Sequence, residues 1–408
     1  IETINLNAGS GANDINAVDT PDNTKTTITS QDAADDIDVT LTGHNSILIV
    51  SAAGGADTVD IATTGPASVT IVNGGDGDDV LTQVTSGAAS GVALNGQAGL
   101  DTIHVNGTGA DNATRVTGGN GSDTINVTAT AAGSFTDLFG GTGSDTINNS
   151  SDAQTNSGNL DGILGAICVF GEDHDAVAPM VESVTAKALT VEVSIDMGET
   201  LNISDAGSAA SNDYTLTSTT FQRTAAMASG LVTYDTIETL SIETGDGNDN
   251  IDIANTVDGT KTTIDSGVGN DDIDVTVTGD SSILVVNAGT GLDTVDIATT
   301  GAGSVTIVNG GSDDDTLTLA SSGGASGVAL NGEGGLDTIN INGTGVGSST
   351  AVNGGSEADT INVTATAAAS FTDIFAGAGS DTINISSDAP FNLGTLAGIL
   401  GDICVEGE

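Results

Sequence analysis

An aspartate ahead of a short aliphatic run returns at a fixed step of 57 − 35 = 22, at Asp35, Asp57, Asp79, Asp101, Asp123 and Asp145, with Asn13 one step upstream. A second series with the same step runs Asp249, Asp271, Asp293, Asp315, Asp337, Asp359 and Asp381. The two series are offset by 249 − 13 = 236, and Cys168 and Cys404 keep that offset. A fixed period too short for a globular domain marks a chain of stacked, equivalent units, each unable to bury its apolar face alone. The chain reads as one complete unit over 1–236 followed by most of a second over 237–408 and, opening inside the pattern at Ile1, as a segment of a longer array.

With the aspartate as position 1, position 3 is always branched aliphatic (Ile37, Val59, Leu81, Ile103, Ile125, Ile147), and so is position 16 (Ile28, Val50, Val72, Leu94, Val116, Leu138). Positions 3 and 5 share a face at the strand period of two, as do 14 and 16. Frequent Gly, β-branching and the absence of a 3.6-residue period disfavour helix. Each unit therefore predicts two short strands separated by tight turns, and stacking predicts an all-β fold, a parallel β-solenoid with 22-residue turns in tandem 236-residue units. The expected organisation is solenoid over 1–170, a non-periodic β-rich insert or a continued solenoid with longer turns over 171–236, and solenoid again over 237–408. Within the break, a loop or mini-domain is expected near 176–230.

Composition removes several functions. Lys and Arg total 5 against 56 Asp and Glu, a net charge of −51, so nucleic acid and anionic membrane surfaces would be repelled. The longest apolar stretch, Ser46 to Ala53, is far short of the roughly 18 residues a membrane span needs. Of the acids 45 are Asp and 11 Glu, a bias toward the short carboxylate that sits in turns or binds cations.

The turn before each aspartate carries the chemistry. It reads GGDGDD at 74–79, GGNGSD at 118–123, GGTGSD at 140–145, GDGND at 245–249 and GAGSD at 377–381. These turns resemble the nonapeptide G-G-x-G-x-D-x-U-x of the repeats-in-toxin family, in which Gly-rich turns of successive coils hold calcium. The resemblance implies a right-handed coil and calcium (Ca2+) at Asp79, Asp123 and Asp145, and at Asp57, Asp101, Asp293, Asp337 and Asp381. The candidate set also takes in Asp249 and Asp271 and the turn residues Asp76 and Asp246. The family has two motifs per coil and this chain only one, and Asp315 and Asp359 lack the Gly two residues earlier, so they stand outside the set.

Charge supports a cation independently. Carboxylates stacked about 4.8 Å apart repel by ~3 kcal/mol per neighbouring pair at an effective dielectric near 20, which calcium relieves with irregular oxygen cages. The competing reading is that each Asp caps its turn by accepting backbone N–H bonds and points to solvent. Position 4 carries a second polar column, among them Asp38, Asp60, Asn126 and Asn148. A parallel β-helix lyase would need Lys or Arg at the substrate carboxylate, and a hydrolase two singular carboxylates. The acids are periodic instead, and His44 and His104 are replaced in the second copy by Asp280 and Asn340, so an enzyme is not expected. His174, in an acidic loop, is a further metal candidate. Cys168 and Cys404, once per unit, are expected as small buried hydrophobes, with an inter-chain disulfide as the alternative.

The chain thus resembles a calcium-stiffened segment of a giant tandem-repeat bacterial surface protein, of adhesin or filament type. That resemblance implies an extracellular or cell-surface location, self-association along or between rods, and contact with surface polysaccharide or other cells. A ladder of Thr and Asn, as at Thr124-Ile125-Asn126, resembles ice-binding solenoids and gives an alternative, and a carbohydrate-active enzyme a third.

Overall fold

The computed structural model describes residues 2–155, 157–173, 180–186, 189–195, 198–224, 228–391 and 393–407. His174 and part of the expected insert, at 176–179, lie outside the described residues. The chain divides into two compact units. One comprises Ile1–Val177, Gly198–Asp205 and Met227–Ile237, the other Ala178–Met197, Ala206–Ala226 and Glu238–Glu408.

Each unit is a parallel β-solenoid in which every strand of the repeat pairs with its equivalent one coil on. In the first, a sheet of longer strands (Ile47–Gly54, Val69–Asp76, Gly91–Ala98, Ala113–Asn120) keeps strict register, with Val50 opposite Val72 and Val72 opposite Leu94. The second sheet, of shorter strands such as Thr102–Val105 and Thr124–Val127, sets Ile103 opposite Ile125. The second unit repeats the arrangement with Ile283–Thr290, Val305–Ser312 and Gly327–Gly334 in one sheet and Thr294–Ile297, Thr316–Leu319 and Thr338–Ile341 in the other.

The core lies between the two sheets of a coil and is one side chain thick from each. Val50, Val72, Leu94 and Val116 from one sheet and Ile37, Val59, Leu81 and Ile103 from the other are fully buried, so the columns at positions 3 and 16 are inward as their periodicity predicts. Position 14 is inward too, and there Thr alternates with Leu and Val: Thr70 and Thr114 are buried beside Leu48 and Val92.

At one corner of the coil a residue turns left-handed coil after coil, among them Asn45, Ala67, Ala89 and Asp111 at φ between 51° and 54°. Its N–H donates to the next coil, as from Ala67 to the carbonyl of Ala88 at 3.0 Å. Buried Thr and Ser close this corner: Thr42 Oγ1 accepts from the N–H of Gly65 at 2.8 Å, and Ser68 Oγ donates to the Gly65 carbonyl at 2.6 Å.

Between the two aspartate series, Thr200–Ser204 adds in parallel to Thr146–Asn149, and Val232–Asp235 to Ala166–Asp173, in the first unit. Asp213–Leu216 adds in parallel to Asn250–Ile253 in the second. Met180–Ala186 and Leu189–Ile195 form an antiparallel hairpin that packs on the second unit through Val184, Val191, Val193 and Ile195. No helix among the described residues is long and apolar enough to cross a membrane.

Candidate functional site: the buried aspartate columns

Each aspartate of the series stands one residue before a short strand, with its backbone N–H free to leave the sheet. That N–H is taken by the aspartate one coil further on. Asp57 donates to Asp79 Oδ1 at 2.8 Å, Asp79 to Asp101 Oδ1 at 2.9 Å, Asp101 to Asp123 and Asp123 to Asp145, both at 2.8 Å. The second column runs the same way from Asp249 through Asp271, Asp293, Asp315, Asp337 and Asp359 to Asp381. The carboxylates are therefore caps, as one reading of the sequence held, but they cap the preceding coil and point inward. Asp79, Asp101, Asp123 and Asp145 are each 1 % exposed.

The second carboxylate oxygen has a different fate. In Asp79, Asp101, Asp123, Asp145, Asp315, Asp337 and Asp359 the Oδ2 atom is buried with no hydrogen-bond partner. It rests on the Gly five residues earlier: a Cβ added at Gly74, Gly96, Gly118, Gly140, Gly310, Gly332 or Gly354 would overlap it. The same added Cβ would meet a carbonyl oxygen of the next coil, that of Gly96 above Gly74 and that of Gly140 above Gly118. Two buried acceptors thus converge on one glycine-sized cradle, and no donor stands between them.

Other coils fill that place. Residues five before the aspartate are Ser30, Ala52, Thr244, Ser266, Ala288 and Ala376 elsewhere in the series. The serine hydroxyls donate across the gap to the next coil, Ser30 Oγ to the Ala52 carbonyl at 2.9 Å and Ser266 Oγ to that of Ala288 at 2.7 Å.

Burial away from water disfavours the charged carboxylate and raises its pKa. Burial is the main cause of the rise to about 7 at Asp79, Asp123, Asp293 and Asp315, and to about 6 at Asp145 and Asp337. The backbone N–H bond from the preceding coil opposes it, and neighbouring carboxylates add to it at Asp79 and Asp123. At Asp271 the rise is restrained by the Asp249 N–H and by the Ser266 hydroxyl.

The structure thus brings Asp57, Asp79, Asp101, Asp123 and Asp145 into one column, and Asp249, Asp271, Asp293, Asp337 and Asp381 into another, and it adds Asp315 and Asp359. Those two keep the turn without the usual Gly because Asp313 and Glu357 themselves adopt φ of 82° and 74°. Asp76 and Asp246 are exposed and lie outside the two columns. Sequence spacing also missed both column ends. Asn212 heads the second column by donating its N–H to Asp249 Oδ1 at 2.8 Å, 37 residues away. Glu199, fully buried beside Gly171, precedes Thr200 as Asp145 precedes its partner Thr146. The signals are Asn-Asp-Tyr-Thr-Leu at 212–216 and Glu-Thr-Leu-Asn-Ile at 199–203, each a variant of the repeat off its regular step.

Where position 4 is Asn the column forms an amide ladder on the outward side of the strands, with Asn148 Nδ2 donating to Asn126 Oδ1 at 2.9 Å and Asn362 Nδ2 to Asn340 Oδ1 at 2.9 Å. Cys168 and Cys404 are half-buried free thiols rather than core residues. The inward places on the first one's strand belong to Ile167 and Val169.

The donor set fits a hard cation in kind: every cradle offers one carboxylate and one carbonyl oxygen, shielded from water. In number it falls short of the six to eight oxygens calcium takes, so a bound ion would draw on adjoining coils. No group of three or more His, Cys, Asp or Glu side chains able to hold a metal occurs among the described residues. No family model matches the chain, and no curated protein is significantly similar to it.

Proposed function

We propose that the chain is a structural segment of an extracellular surface or filament protein, a β-solenoid spacer whose aspartate cradles take up calcium. The observation that carries this reading is the periodicity of the polar groups: the buried carboxylates recur coil by coil, in register with the sheets, and serve to join one coil to the next. Repetition along a stack suits mechanical continuity, whereas catalysis needs a singular arrangement.

The orphaned Oδ2 atoms support the calcium part. Asp79, Asp101, Asp123, Asp145, Asp315, Asp337 and Asp359 would hold the ions, together with the carbonyls facing them, glycine carbonyls except for that of Ala376 opposite Asp359. When bound, calcium supplies positive charge between acceptors that otherwise repel. The chain's own residues keep water out and hold the Oδ1 side of each carboxylate on the backbone. The net charge of −51 suits a setting rich in divalent cations.

Circular dichroism through a thermal melt, with calcium, with magnesium and with chelator, tests the proposal. A midpoint raised by calcium and not by magnesium supports it. A melt indifferent to all three removes calcium and leaves the cradles to protons.

A further inference from the structure

The two units carry closely similar outer faces on their longer strands, and among the described residues only the face of the second is covered. In the second unit Ile283 and Val305 are fully buried under the hairpin, whose Val184 and Val191 lie against Gly327. Ser349 Oγ donates to the Leu189 carbonyl of the hairpin at 3.1 Å. The equivalent residues of the first unit are identical, Ile47, Val69 and Gly91, yet Ile47 is 41 % and Val69 42 % exposed.

We propose that the face of the first unit around Ile47, Val69 and Gly91 is a docking surface for a second copy of the paired strands Met180–Ala186 and Leu189–Ile195, presented by another copy of this repeat. The second unit supplies the argument, because the same side chains in the same register are sealed there by that hairpin. A two-stranded hairpin is marginal alone in water and needs such a face. Its inward side is apolar apart from Glu182, which pairs in register with Val193. The docking face differs at two neighbouring positions: Arg115 replaces Ala351, adding a cation to the surface that meets Glu182, and Ala113 replaces Ser349, so the hydroxyl bond to the Leu189 carbonyl has no counterpart there. This names the partner of the spacer reading and rests on it for the repeat, not for calcium.

Alkylation of a single introduced thiol, read by mass spectrometry, tests the inference. Val69→Cys and Val305→Cys are compared in the 408-residue chain and in the same chain preceded by a second copy of residues 171–236. In the 408-residue chain the thiol at 69 should react at least tenfold faster than that at 305. In the extended chain the thiol at 69 should slow at least tenfold, and Val184→Asp in the added copy should restore its rate. Slowing of the unextended chain with rising concentration, abolished by Val184→Asp, supports docking between molecules. The inference is overturned if position 69 stays fast in the extended chain, if position 305 is as fast as 69, or if protection survives Val184→Asp. Each of these outcomes is separable from the calcium melt, because thiol reactivity is read on the folded chain and is compared at one fixed calcium level.

Discussion

The backbone N–H of Asp79 is held at 2.9 Å by the Oδ1 atom of Asp101, a residue one full coil ahead and 1 % exposed. The carboxylate is thus part of the coil-to-coil bonding, and half of it is fully used. The other half, Oδ2, faces the Gly118 carbonyl across Gly96. In the glycine-backed coils each column is a row of satisfied caps backed by unsatisfied Oδ2 acceptors, and the two halves respond to different perturbations.

Replacing Asp123 separates them. Asp123→Ala should cost about 1–3 kcal/mol, because the Asp101 N–H is left buried without an acceptor. Asp123→Asn keeps an acceptor for that N–H and places an amide donor toward the Gly140 carbonyl. In chelator at pH 8 the Asn variant should therefore melt at or above the parent and the Ala variant well below it. Denaturant titrations of the two would reveal an error if they were equally destabilised.

Acidity should stabilise the chelated protein. A carboxyl whose folded pKa is about 7, as at Asp79, Asp123, Asp293 and Asp315, binds a proton in the folded chain over a range where the unfolded chain, near 4, has lost it. Stability from these groups is fully present below about pH 4 and falls as pH rises toward 7. The melting midpoint in chelator should accordingly drop between pH 5 and pH 8, the reverse of the usual aspartate behaviour. A midpoint that rises over that interval would show the columns to be ionised.

Much of this was legible in the spacing, and some was not. The strand faces followed from position 3 and position 16, since a stacked coil has one inside and a column of Ile and Val can occupy nothing else. The aspartates could be placed in columns but not turned inward or outward, because the partner of each is a main-chain N–H one coil back, which no side-chain pattern records. The trace left in the sequence is the smallness of residues 74, 96, 118 and 140, all glycine, which makes room for Oδ2. Asn212 and Glu199 were hidden because the strands they precede follow loops of different length.

That trace yields a steric prediction. Gly118 has no left-handed backbone to explain it, so Gly118→Ala tests space alone: its Cβ would overlap both Asp123 Oδ2 and the Gly140 carbonyl. The expected cost is about 1–3 kcal/mol. Gly9→Ala, where nothing lies within 4 Å, should be close to neutral. Urea unfolding of the two variants provides the comparison, and equal midpoints would mean that the cradle is not closed.

Core truncation should reveal how far burial differs along one column. Ile125 is fully buried between Ile103 and Ile147, whereas Ile383, at the same position of its coil, is paired to Ile361 and only partly covered.

Loss of a fully buried branched side chain typically costs about 2–5 kcal/mol, because the removed contacts leave a cavity the neighbours fill only in part. Ile125→Ala should fall in that range, and its cavity lies in a rigid stack with coils above and below. Ile383→Ala removes less covered surface, roughly half of the 1.5–3 kcal/mol assigned to a full side chain. Equilibrium unfolding of both should therefore differ by at least about 0.5 kcal/mol. Equal losses would mean that the coil at Ile383 is sealed in solution as tightly as the coil at Ile125, by contacts the isolated chain does not supply.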